Sequence, residues 1–366
     1  MTTHIVQDAL RQAIADSAWP GGVLVAGHRG ETVVQEAFGF HTYSKRRTTR
    51  IDDVFDLASL TKVIATTSAL MALVDSGRIG LDDYVVSHLP EYTGPTAEQD
   101  ELKRSVTIRH LLAHCSGLPA WKRLWEVPGG KAARVTALLR TPLDTPPQTT
   151  CTYSDMGFIV LGELVAAVAG LPLDRYVGHT LATPLGMASM TFNPPKAWLD
   201  RIVPTERQTD GEGFLCGQVH DENARGMGGV AGNAGLFSTA ADLAIFAQMM
   251  LNEGIHGEKT IFRPETVQFF TRRADLIPGS SRCLGWDAPT DGCSGGAHLS
   301  PQSFGHTGFT GTSLWIDPAN DVFVILLTNA VHPDRAQKEP ACSHWRRQVH
   351  SAVYEVLGLT ARDQCL

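Results

Sequence analysis

The stretch FDLASLTKVIATTSALMALVD, residues 55–75, constrains the fold more than any other part of the 366-residue chain. From Leu60 to Val74 its apolar residues, among them Val63, Ile64, Ala65, Ala69, Leu70, Met71 and Leu73, cover nearly the whole circumference of a helix. A helix that is apolar all round does not lie on a surface, so this one sits between two layers. Gly77 is its stop. Yet the run carries Lys62, three residues after Ser59. A lysine is costly to bury unless it is paired or used. Residues three apart share a helix face, which sets the amine beside the serine hydroxyl at a helix start, where the dipole favours developing negative charge. A serine hydroxyl is a weak nucleophile until a neighbour takes its proton. A lysine held in an apolar wall has its charged form disfavoured, so it can be that neighbour or activate another.

The flanks supply the layers. GGVLVAGHRGETVVQEAFGF reads as a β-hairpin turning at His28-Arg29-Gly30, and GTSLWID and VFVILLT read as two strands joined across residues 318–321. Helices are expected at the N-terminus (Ile5, Ala9, Leu10 and Ile14 inward), in IRHLLAH, in SDMGFIVLGELVAAVAG, in STAADLAIFAQMMLNEG with Ser238 or Thr239 as cap, and in the final PACSHWRRQVHSAVYEVLG. Strands lie near both ends and helices fill the middle. The expected class is α+β, an antiparallel sheet flanked by terminal helices with a mostly helical lobe inserted. The expected division is a discontinuous sheet domain, 1–75 and 236–366, and a helical domain, 76–235, with the active site in the cleft between them.

A net charge of −7 gives no electrostatic footprint for nucleic acid. No stretch approaches the roughly 18 uninterrupted apolar residues of a membrane helix, so neither partner is expected. The first residues lack the basic and apolar regions of a signal peptide, and seven scattered cysteines argue against a disulfide framework. A cytoplasmic location follows as an expectation. No paired C-x-x-C suggests zinc, and no metal or cofactor is expected.

Two further stretches give the Ser59/Lys62 pair its meaning: Tyr153-Ser154-Asp155 just before a helix, and His306-Thr307-Gly308 at the entry to a strand. In this order the three sets resemble the S-x-x-K, Y-x-N and K-T-G boxes of serine β-lactamases and penicillin-binding proteins. The closest resemblance is to the class C-like branch, with its family VIII esterase and N-acetylmuramoyl-L-alanine amidase relatives. TIRHLLAHCSGLP, PLGM and GGVAGNAGLFSTAADLAIFAQMM extend the likeness over most of the chain. The resemblance implies a β-lactamase/transpeptidase-like fold and a serine hydrolase. Ser59 is then the acylated nucleophile, Lys62 a proton shuttle of low proton affinity, and Tyr153 a general base whose proton affinity nearby positive charge lowers. The backbone N–H groups of Ser59 and Phe309 form the implied oxyanion hole, worth about 3–4 kcal/mol per donor. Asp155, His306, Thr307 and Gly308 are the implied substrate-binding positions.

The chain departs from the family boxes twice. His306 stands where β-lactamases carry lysine, and a histidine is mostly neutral at pH 7, which weakens recognition of a substrate carboxylate. Asp155 stands where asparagine is usual; it either pairs with Lys62 and holds it charged, moving proton uptake to Tyr153, or binds an amine or hydroxyl of the substrate. The expected substrate is a small ester or amide, with a carboxylesterase and a muropeptide amidase equally in play. A D-amino-acid peptidase and a weak β-lactamase are alternatives, and a catalytically silent ligand sensor is the alternative of another class.

Other features have plainer readings. His110 and His114 lie four apart on one helix face but lack the H-E-x-x-H pattern, so they read as structural. His220-Asp221-Glu222 reads as a loop or cap from which His220 or Asp221 can reach substrate. GMGGVAGNAG does not fit a phosphate loop and reads as a tight loop near the active-site floor. Cys151 reads as a small buried side chain. Trp121, Trp125, Trp286 and Phe304 are candidates for an apolar pocket as well as for the core.

Overall fold

The computed structural model describes residues 4–208 and 213–360; the seventh cysteine, Cys365, lies outside the described residues. The predicted hairpin is present as β1 (Gly21–His28) and β2 (Glu31–Gly39). Three strands from the other end of the chain complete the sheet: β3 (Phe304–Thr307), β4 (Ser313–Asp317) and β5 (Val322–Thr328). The order is β2-β1-β5-β4-β3, and every pairing is antiparallel, with Val25 opposite Ile325 and His306 opposite Leu314.

Both faces of this sheet are covered, and the pleat decides which side chain goes where. Val23, Val25, Phe323, Ile325 and Leu327 join one core, while Leu24, Ala26, Val322, Val324 and Leu326 join the other. That is why the central strands read as continuous apolar runs rather than as an alternation. Over the second face lie the terminal helices α1 (His4–Ala15) and α7 (Ala341–Val356), packed on each other. In α1 the inward residues are Val6, Leu10 and Ala13, while Ile5 is exposed. Of the expected inward residues Leu10 is buried and Ala9 and Ile14 pack against the same core; only Ile5 turns to solvent, and Val6 and Ala13 join the core with Trp19, Val349 and Val353.

On the first face, the helix predicted from Leu60 runs to Asp75, wound as a π-helix over Lys62–Thr67 and as α2 over Ser68–Asp75. All six residues of the wide segment are buried, and such segments often mark functional sites. Thr66 Oγ1 donates to the carbonyl of Gly232 at 2.7 Å, tying the segment to the glycine-rich loop. Gly232 has to be glycine, because a Cβ there would stand 1.9 Å from the Phe158 carbonyl oxygen. The middle of the chain supplies α3 (Ile108–Leu112), α4 (Asp155–Ala169), α5 (Glu222–Gly226) and α6 (Ala240–Leu251). Thr239, not Ser238, caps α6, which packs on β1 and β5.

Candidate active site

Ser59 sits in a tight turn just ahead of the π-helical segment, after Ala58 in a left-handed conformation (φ 46°). A non-glycine residue there costs about 1–2 kcal/mol, so the turn must be held. Asp56 holds it. One carboxylate oxygen of this fully buried residue accepts the Ala58 N–H at 2.9 Å and the other accepts the His220 N–H at 2.6 Å. Thr310 and Thr312, from the turn between β3 and β4, donate to the carbonyls of Asp56 and Leu57 at 2.7 and 3.1 Å. Gly308 permits this approach, since a Cβ on it would meet the Leu57 carbonyl at 2.4 Å.

Tyr153 and Asp155 are placed by the start of α4. Ser154 is its N-cap, accepting from Gly157 N–H at 3.0 Å and donating to the Pro119 carbonyl at 2.7 Å, an arrangement worth about 1 kcal/mol. Behind it, His114 Nδ1 accepts the Ser154 N–H at 3.0 Å, and the His114 ring lies 4.7 Å from that of Tyr153. His110 works in a capping box at the start of α3. The two histidines thus have separate structural tasks, as their spacing suggested.

The three predicted boxes converge. Lys62 is fully buried, and its Nζ lies 2.9 Å from Ser59 Oγ, 2.6 Å from Asp155 Oδ1, 3.2 Å from the Asn233 carbonyl and 4.8 Å from the centre of the Tyr153 ring. An ammonium has three N–H groups; the oxygens of Ser59, Asp155 and Asn233 surround this one, and the Tyr153 hydroxyl is a fourth within hydrogen-bond reach. Two expectations are corrected here. Burial alone would lower the proton affinity of Lys62, but the Asp155 carboxylate and Tyr153 outweigh it, and the net shift is upward. Tyr153 also moves upward: burial dominates, Asp155 adds to it, and the charge on Lys62 opposes without prevailing. At rest the site therefore holds a Lys62–Asp155 ion pair beside a neutral phenol. Of the two readings offered for Asp155, pairing with Lys62 is the one seen.

The third box is placed differently from the expectation. His306 is buried on β3, donating Nδ1–H to the Thr307 carbonyl, with its ring 5.8 Å from that of Tyr153. Burial, then the charges of Lys62 and Arg282, push it down to about 3, so it is neutral. It backs Tyr153 and does not line the cavity, and neither do Thr307 and Gly308. The cavity, about 340 Å³, is walled by Ser59, Tyr153 and Asp155, by Trp121, His220, Asp221 and Asn233, and by Phe309 and Arg335. Neither the Ser59 nor the Phe309 N–H meets an acceptor among the described residues. Trp121 packs on Trp125 with ring centres 5.1 Å apart and planes tilted by 54°, whereas Trp286 packs against Phe304 and Phe246 in the core and takes no part in this cavity. Cys151 is exposed rather than buried, with Ser280 Oγ at 3.4 Å; the segment preceding Tyr153 runs along the surface before turning into α4.

Residues 6–341 match the β-lactamase family. The chain belongs to that family. It is 36% identical over 315 residues to an Escherichia coli K12 protein named "Putative D-alanyl-D-alanine carboxypeptidase", covering 78% of this chain and 72% of the relative. A Salmonella gallinarum protein of the same name is 34% identical over 352 residues, covering 87% and 80%. Among solved structures, EstCE1, "a hydrolase with promiscuous acyltransferase activity", superposes with a TM-score of 0.77 at 22% identity over 96% of this chain and 98% of its own. A penicillin-binding protein homologue from Caulobacter crescentus gives 0.75 at 20% identity over 96% and 97%. The β-lactamase/transpeptidase-like fold is thereby shown, and the chain is a serine hydrolase of this family.

Within the family frame, three residues of the site escape sequence reasoning. Asp56 lies between Phe55 and Leu57, and a carboxylate inside an apolar run was the signal available for it. Arg335 is drawn in from beyond β5 and held by Glu206 and Glu222 at 2.6 Å each. Arg282, whose guanidinium lies 5.0 Å from the Tyr153 ring centre, comes from a loop with no motif.

Proposed function

We propose that the protein hydrolyses a carboxylic ester or amide through an acyl-enzyme on Ser59. The carrying observation is the buried Lys62, its Nζ within 2.9 Å of Ser59 Oγ and 2.6 Å of Asp155 Oδ1. Because Asp155 keeps Lys62 charged, the lysine is not the base; it stabilises the phenolate form of Tyr153. Ser59 gives its proton to the Tyr153 oxygen as Oγ bonds to the substrate carbonyl carbon. The charge that collects on the carbonyl oxygen is held by the Ser59 and Phe309 N–H groups. Tyr153 then returns the proton to the departing oxygen or nitrogen, and a water activated by the same phenolate releases the acid.

Among the described residues the site carries no unpaired cation of the kind a lysine at position 306 would supply. Arg335 is shared between two carboxylates. This favours neutral esters and amides over β-lactams; from the carboxypeptidase name of the E. coli relative only the cleavage of an amide is carried over, not a substrate carboxylate. Intact-mass spectrometry of wild type and Ser59→Ala, after exposure to p-nitrophenyl esters, N-acetylmuramoyl-L-alanine peptides and a cephalosporin, tests the reading. Wild type is expected to gain an acyl mass and Ser59→Ala none; an adduct or undiminished turnover in folded Ser59→Ala refutes it.

A further inference from the structure

The buried wall of the cavity beside the Lys62–Asp155 pair holds a group that the acyl-transfer chemistry does not use. Asp221 caps α5, its Oδ1 accepting the Ala224 N–H at 2.7 Å. The same oxygen receives Asn233 Nδ2–H at 3.3 Å. That contact fixes the orientation of the Asn233 amide, because the reverse would set two oxygens against each other. Asn233 Oδ1 is then an acceptor in a residue only 1% exposed, with no donor in reach among the described residues. A buried acceptor left without a donor costs about 1–3 kcal/mol. Both residues line the cavity. The Asn233 carbonyl lies 3.2 Å from Lys62 Nζ, which places this wall one side chain away from the nucleophile.

The neighbouring charges are already spoken for. Asp155 is matched by Lys62, and Glu222 by Arg335. Asp221 forms no ion pair among the described residues; burial works most strongly against its charge and the field of Asp155 adds to this, while the hydrogen bonds from Ala224 and Asn233 and the more distant charge of Lys62 only partly offset them. We propose that Asp221 and Asn233 form a subsite for a protonated amine on the acyl part of the substrate. The acyl part is the portion concerned, since it stays on Ser59 against the buried wall. The leaving group departs toward the mouth, where Trp121 and Phe309 are 43% and 46% exposed. An ammonium there supplies N–H donors to both oxygens and a counter-charge to the carboxylate. The substrate class becomes that of α-amino acyl esters and amides, a deepening that rests on the acyl-enzyme reading above.

Methyl esters of three acids test it: alanine (each enantiomer separately), N-acetylalanine and propanoic acid. They are compared at a pH where the amine is protonated, each kcat/KM divided by that ester's own alkaline hydrolysis rate. The amine-bearing ester is expected to lead by about thirtyfold or more, the scale of a buried charged contact. Asp221→Asn keeps the helix cap but loses the charge, and is expected to collapse that ratio at least tenfold; Asn233→Leu is expected to lower it as well, should the first variant not fold. Equal normalised rates, a preference for N-acetylalanine, or a ratio unmoved in folded Asp221→Asn overturns the subsite. Absence of turnover and of any Ser59 adduct with all of these esters overturns instead the reading on which it rests.

Discussion

Replacing Asp155 by asparagine restores the usual family residue and removes one charge from the centre of the site. At 2.6 Å and an effective dielectric of about 20, the Lys62–Asp155 attraction is about 6 kcal/mol. With 21% of the Asp155 side chain open to solvent, we take about half of this, ~3 kcal/mol, or two decades in the proton affinity of the lysine. Tyr153 responds in the same direction, because Asp155 raises its proton affinity too. In the wild type, phenolate is scarce at neutral pH, so kcat/KM for p-nitrophenyl butanoate is expected to climb with pH into the alkaline range. In Asp155→Asn the climbing limb is expected to move toward neutrality by about one to two pH units. The assay is a kcat/KM profile from roughly pH 6 to 10.5 on both proteins, with thermal unfolding at each pH to confirm the fold. A limb that stays in place, or moves to higher pH, refutes the assignment of Lys62 as an ammonium held charged by Asp155.

Tyr153→Phe is expected to lower kcat/KM by about 10²- to 10⁴-fold and to leave a residual rate without the alkaline climb, read in the same profile. Gly308→Ala would drive a Cβ to 2.4 Å from the Leu57 carbonyl, two residues before Ser59; a loss of about 1–3 kcal/mol in chemical denaturation and a drop in kcat of tenfold or more are expected. Burial pushes both His306 and His350 down to about 3, below the value near 6.5 of the unfolded chain. Stability is therefore full above pH 6.5 and falls as pH drops from there toward 3, by about 4 kcal/mol at pH 5 for the two together. His350→Gln is expected to remove about half of that slope in urea titrations, and an unchanged slope would show that His350 is not held neutral.

The fold was legible in the sequence where a segment's periodicity is set by its own layer. Continuous apolar strands, the all-round apolar run from Leu60 and the cap at Thr239 each carry their signal locally. The N-terminal stripe was legible at Ala9, Leu10 and Ile14 and missed at Ile5, because the inward turn of Val6 and Ala13 is decided by the core shared with Trp19 and α7, hundreds of residues away in the latter case. At the site, the residue types were readable and the charge states were not. Ser59, Lys62, Tyr153 and Asp155 come from segments whose identity speaks for itself, but whether Lys62 is charged depends on 2.6 Å between side chains almost a hundred positions apart. His306 was legible as a departure from lysine; that it backs Tyr153 instead of facing the cavity follows from the placement of β3. Asn233 and Arg335 act through tertiary contacts alone, so no pattern around them announces a role, and Asp56 is marked only by its place between Phe55 and Leu57.

Asp56 gives one oxygen to the turn that presents the nucleophile and the other to the loop that carries Asp221. A single carboxylate is thus the shared hinge-pin of reactivity and selectivity. Exchanging the 220–222 loop between relatives to alter substrate choice would loosen the attacking serine at the same stroke, so new specificities should be sought by altering side chains around that pin while the pin stays in place.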